Sequence, residues 1–289
     1  MSIEKEQAMD FLLQTRARQA EVYPYLLPWR KTKPERFPIA NGWAEWLGDP
    51  KSEKIILFLH GGGYVLGLSE IHRNMAQKIC NDTGYRALLV DYRLAPEHPF
   101  PAALEDANAS IEWLLDSGYS MDNIFVVAES AGAGLSLALM LQRKQQGKSL
   151  PKGAALMSPL ADLTYSGKSI TERYERDRFL GNWVMLELIA ESYRGEEPAS
   201  NPLISPVFAD LSGLPPLFVQ IGTEEVLYDD AVRIVARAKA AGTTAELQVW
   251  KDMWHAHQGL ANFVPEGRRA LRDISTQLLK WDGTQPSDH

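Results

Sequence analysis

The stretch FVVAESAGAG, residues 125–134, runs from a β-branched apolar segment through an acidic residue and a serine into a series of only Ala and Gly. Such a sequence reads as a strand, a sharp turn and the start of a helix. Ser130 stands at the junction, where a strand ending in Val127 meets a helix beginning near Ala131. In an open α/β sheet the carboxyl ends of the strands are where ligands gather. A G-x-S-x-G elbow would expose a serine oxygen there, with small residues two positions away on either side because neighbouring backbone passes close. Gly132 fills the second small position and Ala128 the first. Taken alone, the stretch fits a helix-capping serine equally well.

Working outward, short apolar runs recur at 54–60, 86–92, 123–129, 153–158, 217–223 and 245–251, separated by helical patterning at 101–117, 131–147, 229–241 and 265–281. The alternation predicts a mostly parallel central sheet with helices on both faces, its strands buried on both sides. Two segments stand outside it: residues 1–40, a helix followed by a proline-broken stretch, and the insertion 164–195. Both are expected to form a helical cap over a catalytic core of about 41–163 and 196–289, within a single domain; the alternative is that they only patch exposed core.

Composition narrows the function. The net charge of −7 comes with acidic and basic residues intermixed, so no basic stripe is present to follow phosphates and no polybasic cluster to hold a membrane. The longest apolar runs are far too short to span a bilayer, and the N-terminal MSIEKEQAMD lacks a signal-peptide layout, giving a cytoplasmic expectation. The single cysteine, Cys80, excludes an intrachain disulfide and reads as a buried inert thiol.

HGGGYVLG at 60–67 directly follows the run IILFL. Three consecutive glycines cost backbone entropy and add nothing to packing, so a tight turn aiming N–H groups at a developing negative charge accounts for them. Phosphate-loop spacings do not follow. A hydrolytic serine needs a base, and His255 and His257 in WKDMWHAHQG come after the last predicted strand; one of them fills that role. The H-A-H spacing lacks the downstream ligands of a metallohydrolase, so no metal is expected. An acid should follow the preceding strand, where Glu224, Glu225, Asp229 and Asp230 all lie in GTEEVLYDD. Serine, acid, histidine is the chain order of the α/β hydrolases.

HGGG, DYRLAPEHPFPAALEDA, AESAGAG, SPLADLT, NPLISPVF, and GTEEVLYDD through MWHAHQG together resemble the bacterial hormone-sensitive-lipase-like carboxylesterases, over residues 54–260. The resemblance implies an α/β-hydrolase fold with Ser130 as nucleophile, His255 as base and Glu225 as acid. It implies oxyanion donors at the backbone N–H groups of Gly62, Gly63 and Ala131, no cofactor, and a small-molecule ester as substrate. It leaves a homodimer open. Three positions depart from the family pattern: Ala128 for Gly, Glu129 for Asp, and His257 for an aromatic residue.

Phe179, Leu180 and Trp183, with FLLQ (11–14) and YPYLLPW (23–29), are expected to give a compact apolar pocket for short acyl or aryl esters, with Tyr64, Val65 and Leu68 also lining it. The same triad would serve a lactone or amide hydrolase. A non-catalytic small-molecule receptor of this fold is the reading from a different class, and the presence of His255 argues against it. The three prolines of DYRLAPEHPFP are expected to fix a supporting loop in which Asp91, Arg93 and Glu97 pair with one another.

Overall fold

The computed structural model describes residues 3–26 and 36–284, with side chains from 4–18 and 36–284. Among the described residues, eight strands form one sheet in the order β1-β2-β4-β3-β5-β6-β7-β8. The last six in chain order are β3 (Ile55–Leu59), β4 (Arg86–Asp91), β5 (Ile124–Glu129), β6 (Ala154–Met157), β7 (Leu217–Gly222) and β8 (Ala245–Trp250), all paired in parallel. They fall within the apolar runs read from the sequence. Every residue of β3, β5, β6 and β7 is buried, as strands covered on both faces must be.

Side chains on these strands alternate between two cores. Leu57, Val126, Leu156 and Val219 face α3 (Ala102–Asp116), α4 (Ala131–Gln145) and α7 (Tyr228–Ala240). Phe58, Phe125, Val127 and Phe218 face α2 (Glu70–Thr83) and α8 (Pro265–Asp282). Burial at roughly 1.5–3 kcal/mol per large apolar side chain makes this sandwich the main source of stability.

The first two strands correct the sequence reading. Arg36–Ile39 (β1) and Gly42–Gly48 (β2) form a hairpin joined by Ala40 and Asn41, and β2 pairs antiparallel with β4. Residues 36–39 therefore extend the sheet rather than cap it. The hairpin escapes a hydrophobicity pattern because Pro38 interrupts it and Glu45 occupies a buried position. Arg73 of α2 grips that carboxylate with two bonds, Nε to Oε2 at 2.6 Å and Nη2 to Oε1 at 2.7 Å, so its burial is compensated.

Helix α1 (Ile3–Leu26) packs against α6 (Trp183–Arg194), and Lys5 reaches Glu187 and Glu191 across the contact. The insertion also holds the short helix α5 (Ser169–Glu172). The contribution expected of YPYLLPW lies outside the described side chains.

In DYRLAPEHPFP the expected mutual pairing does not form. Arg93 binds Asp106 and Glu105 on α3, Asp91 meets Arg36, and Glu97 meets Arg16 of α1. The loop is tied to three separate elements, because each of its charges projects toward a different neighbour.

Candidate active site

Strand β5 ends at Glu129 and α4 begins at Ala131, leaving Ser130 as the whole connection. Its backbone takes φ 53° and ψ −118°, a region sparsely populated by residues with a side chain. Four hydrogen bonds hold it there: its N–H donates to Met157 O (2.8 Å), and its carbonyl accepts from Ala133 (3.0 Å), Gly134 (3.2 Å) and Leu160 (3.1 Å). The tightness explains the small neighbours. A Cβ on Gly132 would stand 2.1 Å from Leu59 O, whereas the Ala128 methyl fits within the buried strand.

His255 and Glu225 arrive on loops at the carboxyl ends of β8 and β7. His255 Nε2 lies 3.0 Å from Ser130 Oγ, and Nδ1 lies 2.9 Å from Glu225 Oε2. The other oxygen, Oε1, accepts from Ser158 Oγ (2.8 Å) and Gly222 N–H (2.6 Å). Glu225 is fully buried yet completely engaged, which is what makes burial of a carboxylate tolerable. Burial alone would lower the basicity of His255, but the Glu225 hydrogen bond and charge, joined by Glu129 and Asp177, raise its pKa to about 9.

His257, the second imidazole of the pair, is buried beside Trp250 with both ring nitrogens unbonded among the described residues. Burial pushes its pKa down to about 4. Of the four acids, Glu224 borders a charged surface hollow shared with Arg176 and Arg178. Asp229 accepts from Ser169 N–H, and Asp230 accepts from the N–H groups of Ala161 and Asp162. Both begin α7, but they tie down neighbouring segments rather than only facing the helix terminus.

The turn after β3 brings its glycines alongside Ser130. Gly62 and Gly63 have φ of 112° and 62°, which other residues adopt at a cost, and a Cβ on Gly61 would collide with the Glu129 carboxylate at 1.9 Å. The N–H groups of Gly62, Gly63 and Ala131 donate to no described group. Behind them Tyr92 donates its hydroxyl to His60 O (2.7 Å) and stacks on the His60 ring at 4.2 Å, fixing the turn from below.

A cavity of about 400 Å³ opens over Ser130 and His255. Its walls are mostly apolar, with Leu12 from α1, Leu160 after β6, and Tyr165, Leu186 and Ile189 from the insertion. That size and lining suit one small organic molecule.

A family model described as an alpha/beta hydrolase fold matches residues 56–259. The chain belongs to the α/β-hydrolase family. It is similar to an acetyl-hydrolase of Streptomyces hygroscopicus, 39% identical over 229 residues that make up 79% of this chain and 76% of that one. It is also similar to an esterase of Acinetobacter venetianus, 35% identical over 77% of this chain and 73% of the relative. Among solved structures, an esterase of the bacterial hormone-sensitive lipase family aligns with a TM-score of 0.83 at 37% identity, over 97% of this chain and 99% of that one. The protein is thus a hormone-sensitive-lipase-like α/β hydrolase, and its chemistry is that of a carboxylesterase.

In this hydrolase the residues expected to line the pocket separate into two groups. Phe179 and Leu180 border the cavity. Tyr64, Val65, Leu68 and Trp183 do not. Tyr64 has φ 61°, and its buried ring stacks on Tyr193 at 3.5 Å. Val65 is buried in a cluster with Leu12 and Leu188, Leu68 packs on the α2 and α8 side, and Trp183 bonds Glu187 on its own helix. The sequence reading missed Leu160, Tyr165, Leu186 and Ile189. The apolar spacing of Leu186 and Ile189 on α6 was the available signal.

Asp177 was also missed. Its Oδ1 accepts from the N–H groups of Phe179 (3.0 Å) and Leu180 (2.9 Å), and its Oδ2 from Val226 N–H (2.9 Å), next to Glu225. One buried carboxylate thus joins the cavity wall to the turn that carries Glu225.

No described helix is long and apolar enough to cross a membrane.

Proposed function

We propose that the protein hydrolyses short-chain acyl or aryl esters through an acyl-enzyme, with Ser130 as nucleophile, His255 as general base and Glu225 as the acid that orients it. The observation carrying this reading is the unbroken hydrogen-bonded series Ser130–His255–Glu225 at the base of an apolar cavity of about 400 Å³.

In the acylation step His255 Nε2 takes the proton of Ser130 as Oγ adds to the ester carbonyl. The oxygen of the tetrahedral intermediate points at the free N–H groups of Gly62, Gly63 and Ala131, each such donor being worth about 10²–10³ in kcat. The imidazolium returns its proton to the departing alcohol, and water then releases the acid by the same route. Glu225, with one oxygen occupied by Ser158 and Gly222, keeps the other for His255 and balances its positive charge.

In this reading α1 and residues 164–195 form a cap over the catalytic core, and the enclosed volume favours short acyl chains. A cytoplasmic setting suits a chain with one cysteine.

The test combines fluorophosphonate labelling with a p-nitrophenyl ester series. An adduct on Ser130 and a rate maximum at short chains are expected. No adduct there, or a maximum at long chains, would refute the assignment.

A further inference from the structure

Glu129, buried at the end of β5, takes no part in the steps above, yet it borders the same cavity. Its Oε1 lies 3.6 Å from His255 Nε2, on the edge of the ring opposite Glu225, and its Oε2 lies 3.4 Å from His72 Nε2. His72 belongs to the first turn of α2, where its Nδ1 accepts from Ser69 N–H at 3.0 Å. A ring nitrogen that accepts carries no proton, so the proton of the neutral ring sits on Nε2 and points at Glu129. Its tautomer is fixed by a helix cap.

The groups facing His255 are few. Glu225 lies on the loop after β7, Asp177 on the insertion, Glu129 on β5 and His257 two residues further along the chain, while His72 and His60 stand behind Glu129. Burial would raise the Glu129 pKa, but His72 and the other imidazoles outweigh it and hold the carboxyl below its usual range. A negative charge therefore stands within 4 Å of the nitrogen that takes the Ser130 proton. His72 engages Oε2 and leaves Oε1 facing His255.

We propose that Glu129, held by His72, is a positioning residue that acts through His255, sharing with Glu225 the stabilisation of the imidazolium formed when Ser130 gives up its proton. The inference rests on the reading of His255 as the base. It gives the Gly61 position its purpose: only a residue without a side chain lets this carboxylate lie against the turn.

The experiment is the pH dependence of kcat/KM for a p-nitrophenyl ester, measured on wild type, Glu129→Gln, Glu129→Ala, Glu129→Asp and Ser130→Ala, with thermal unfolding of each. Removing a negative neighbour makes His255 a weaker base. Both neutral variants should move the acid limb down by about one pH unit and lower the plateau about tenfold, with KM within about threefold. Glu129→Asp keeps the charge and should hold the limb nearer to wild type. A merely structural role would lower the plateau and leave the limb in place, and that result in the neutral variants overturns the proposal. Failure of both neutral variants to fold also overturns it. Either neutral variant suffices if the other does not fold. Turnover by Ser130→Ala would instead sink the triad reading itself, so the two failures are distinguishable.

Discussion

Ser158 donates its hydroxyl to Glu225 Oε1 over 2.8 Å and accepts the N–H of Ala256, the residue after His255, at 3.3 Å. A single side chain just after β6 thus sets Glu225 and the His255 loop in register. Ser158→Ala should lower kcat about tenfold with KM little changed, because Glu225 loses one partner of a buried carboxylate while Gly222 N–H remains. Steady-state kinetics decide it, and an unchanged kcat would mean that Gly222 alone fixes Glu225.

Glu225→Gln keeps the volume and removes the charge beside His255, so kcat should fall by about 10²- to 10⁴-fold. Glu224→Gln and Asp229→Asn alter groups that do not touch the imidazole and should cost far less. If Asp229→Asn were the crippling change, the acid would have to be reassigned.

Gly132→Ala places a methyl against backbone oxygens of Leu59 and His60, at 2.1 and 2.5 Å, which cannot retreat without disturbing β3 and the glycine turn. Soluble protein should show at least about a hundredfold loss in kcat/KM, equivalent to roughly 2.7 kcal/mol of transition-state stabilisation. Ala128→Gly, which only removes a methyl, should stay within about tenfold. Comparable losses in the two variants would show that the methyl at 128 also shapes the elbow.

The pKa of His255 near 9 places the rise of kcat/KM well above neutrality, since in the proposed mechanism only the neutral ring accepts the Ser130 proton. The sign for stability is opposite. A histidine whose folded pKa lies above its unfolded value of 6.5 contributes its full stabilisation below that value and loses it as pH rises through about 9. Rate profiles and denaturant midpoints over pH 6–10 should therefore trend in opposite directions in this window, and Glu225→Gln should shift both toward lower pH. A limb at about 6.5 in the wild type would contradict the strong Glu225 interaction.

Ile189 closes the cavity wall against Gly63. Ile189→Ala should move the preferred acyl chain in a p-nitrophenyl ester series about two carbons longer, at a cost of about 2–5 kcal/mol in stability. An unchanged preference would place the acyl chain in another part of the cavity.

Strands β3 to β8 were legible because each carries an apolar run, nearly unbroken in β3 to β7 as burial on two faces requires and alternating with Glu246 and Gln248 in the half-exposed edge strand β8. Ser130, His255 and Glu225 were visible as candidates because each follows such a strand. The hairpin β1–β2 was not, since its buried Glu45 reads as solvent-facing until Arg73, on a later helix, is known to meet it. Pocket walls were partly hidden for a related reason. Tyr64 neighbours the glycine turn in sequence, but its own positive φ turns its ring to Tyr193. Glu129 looked like a minor departure from the family pattern, and its bearing on His255 emerges only once β5, α2 and the β8 loop are brought together.

The two-sided grip of Asp177 bears on how this enzyme could be re-engineered. Grafting the 164–195 segment of a relative to import a new pocket would also exchange the anchor of Val226, next to Glu225, so selectivity and turnover would change together. Chimeras that retain Asp177 and vary only the residues beyond Leu180 keep the two properties separable.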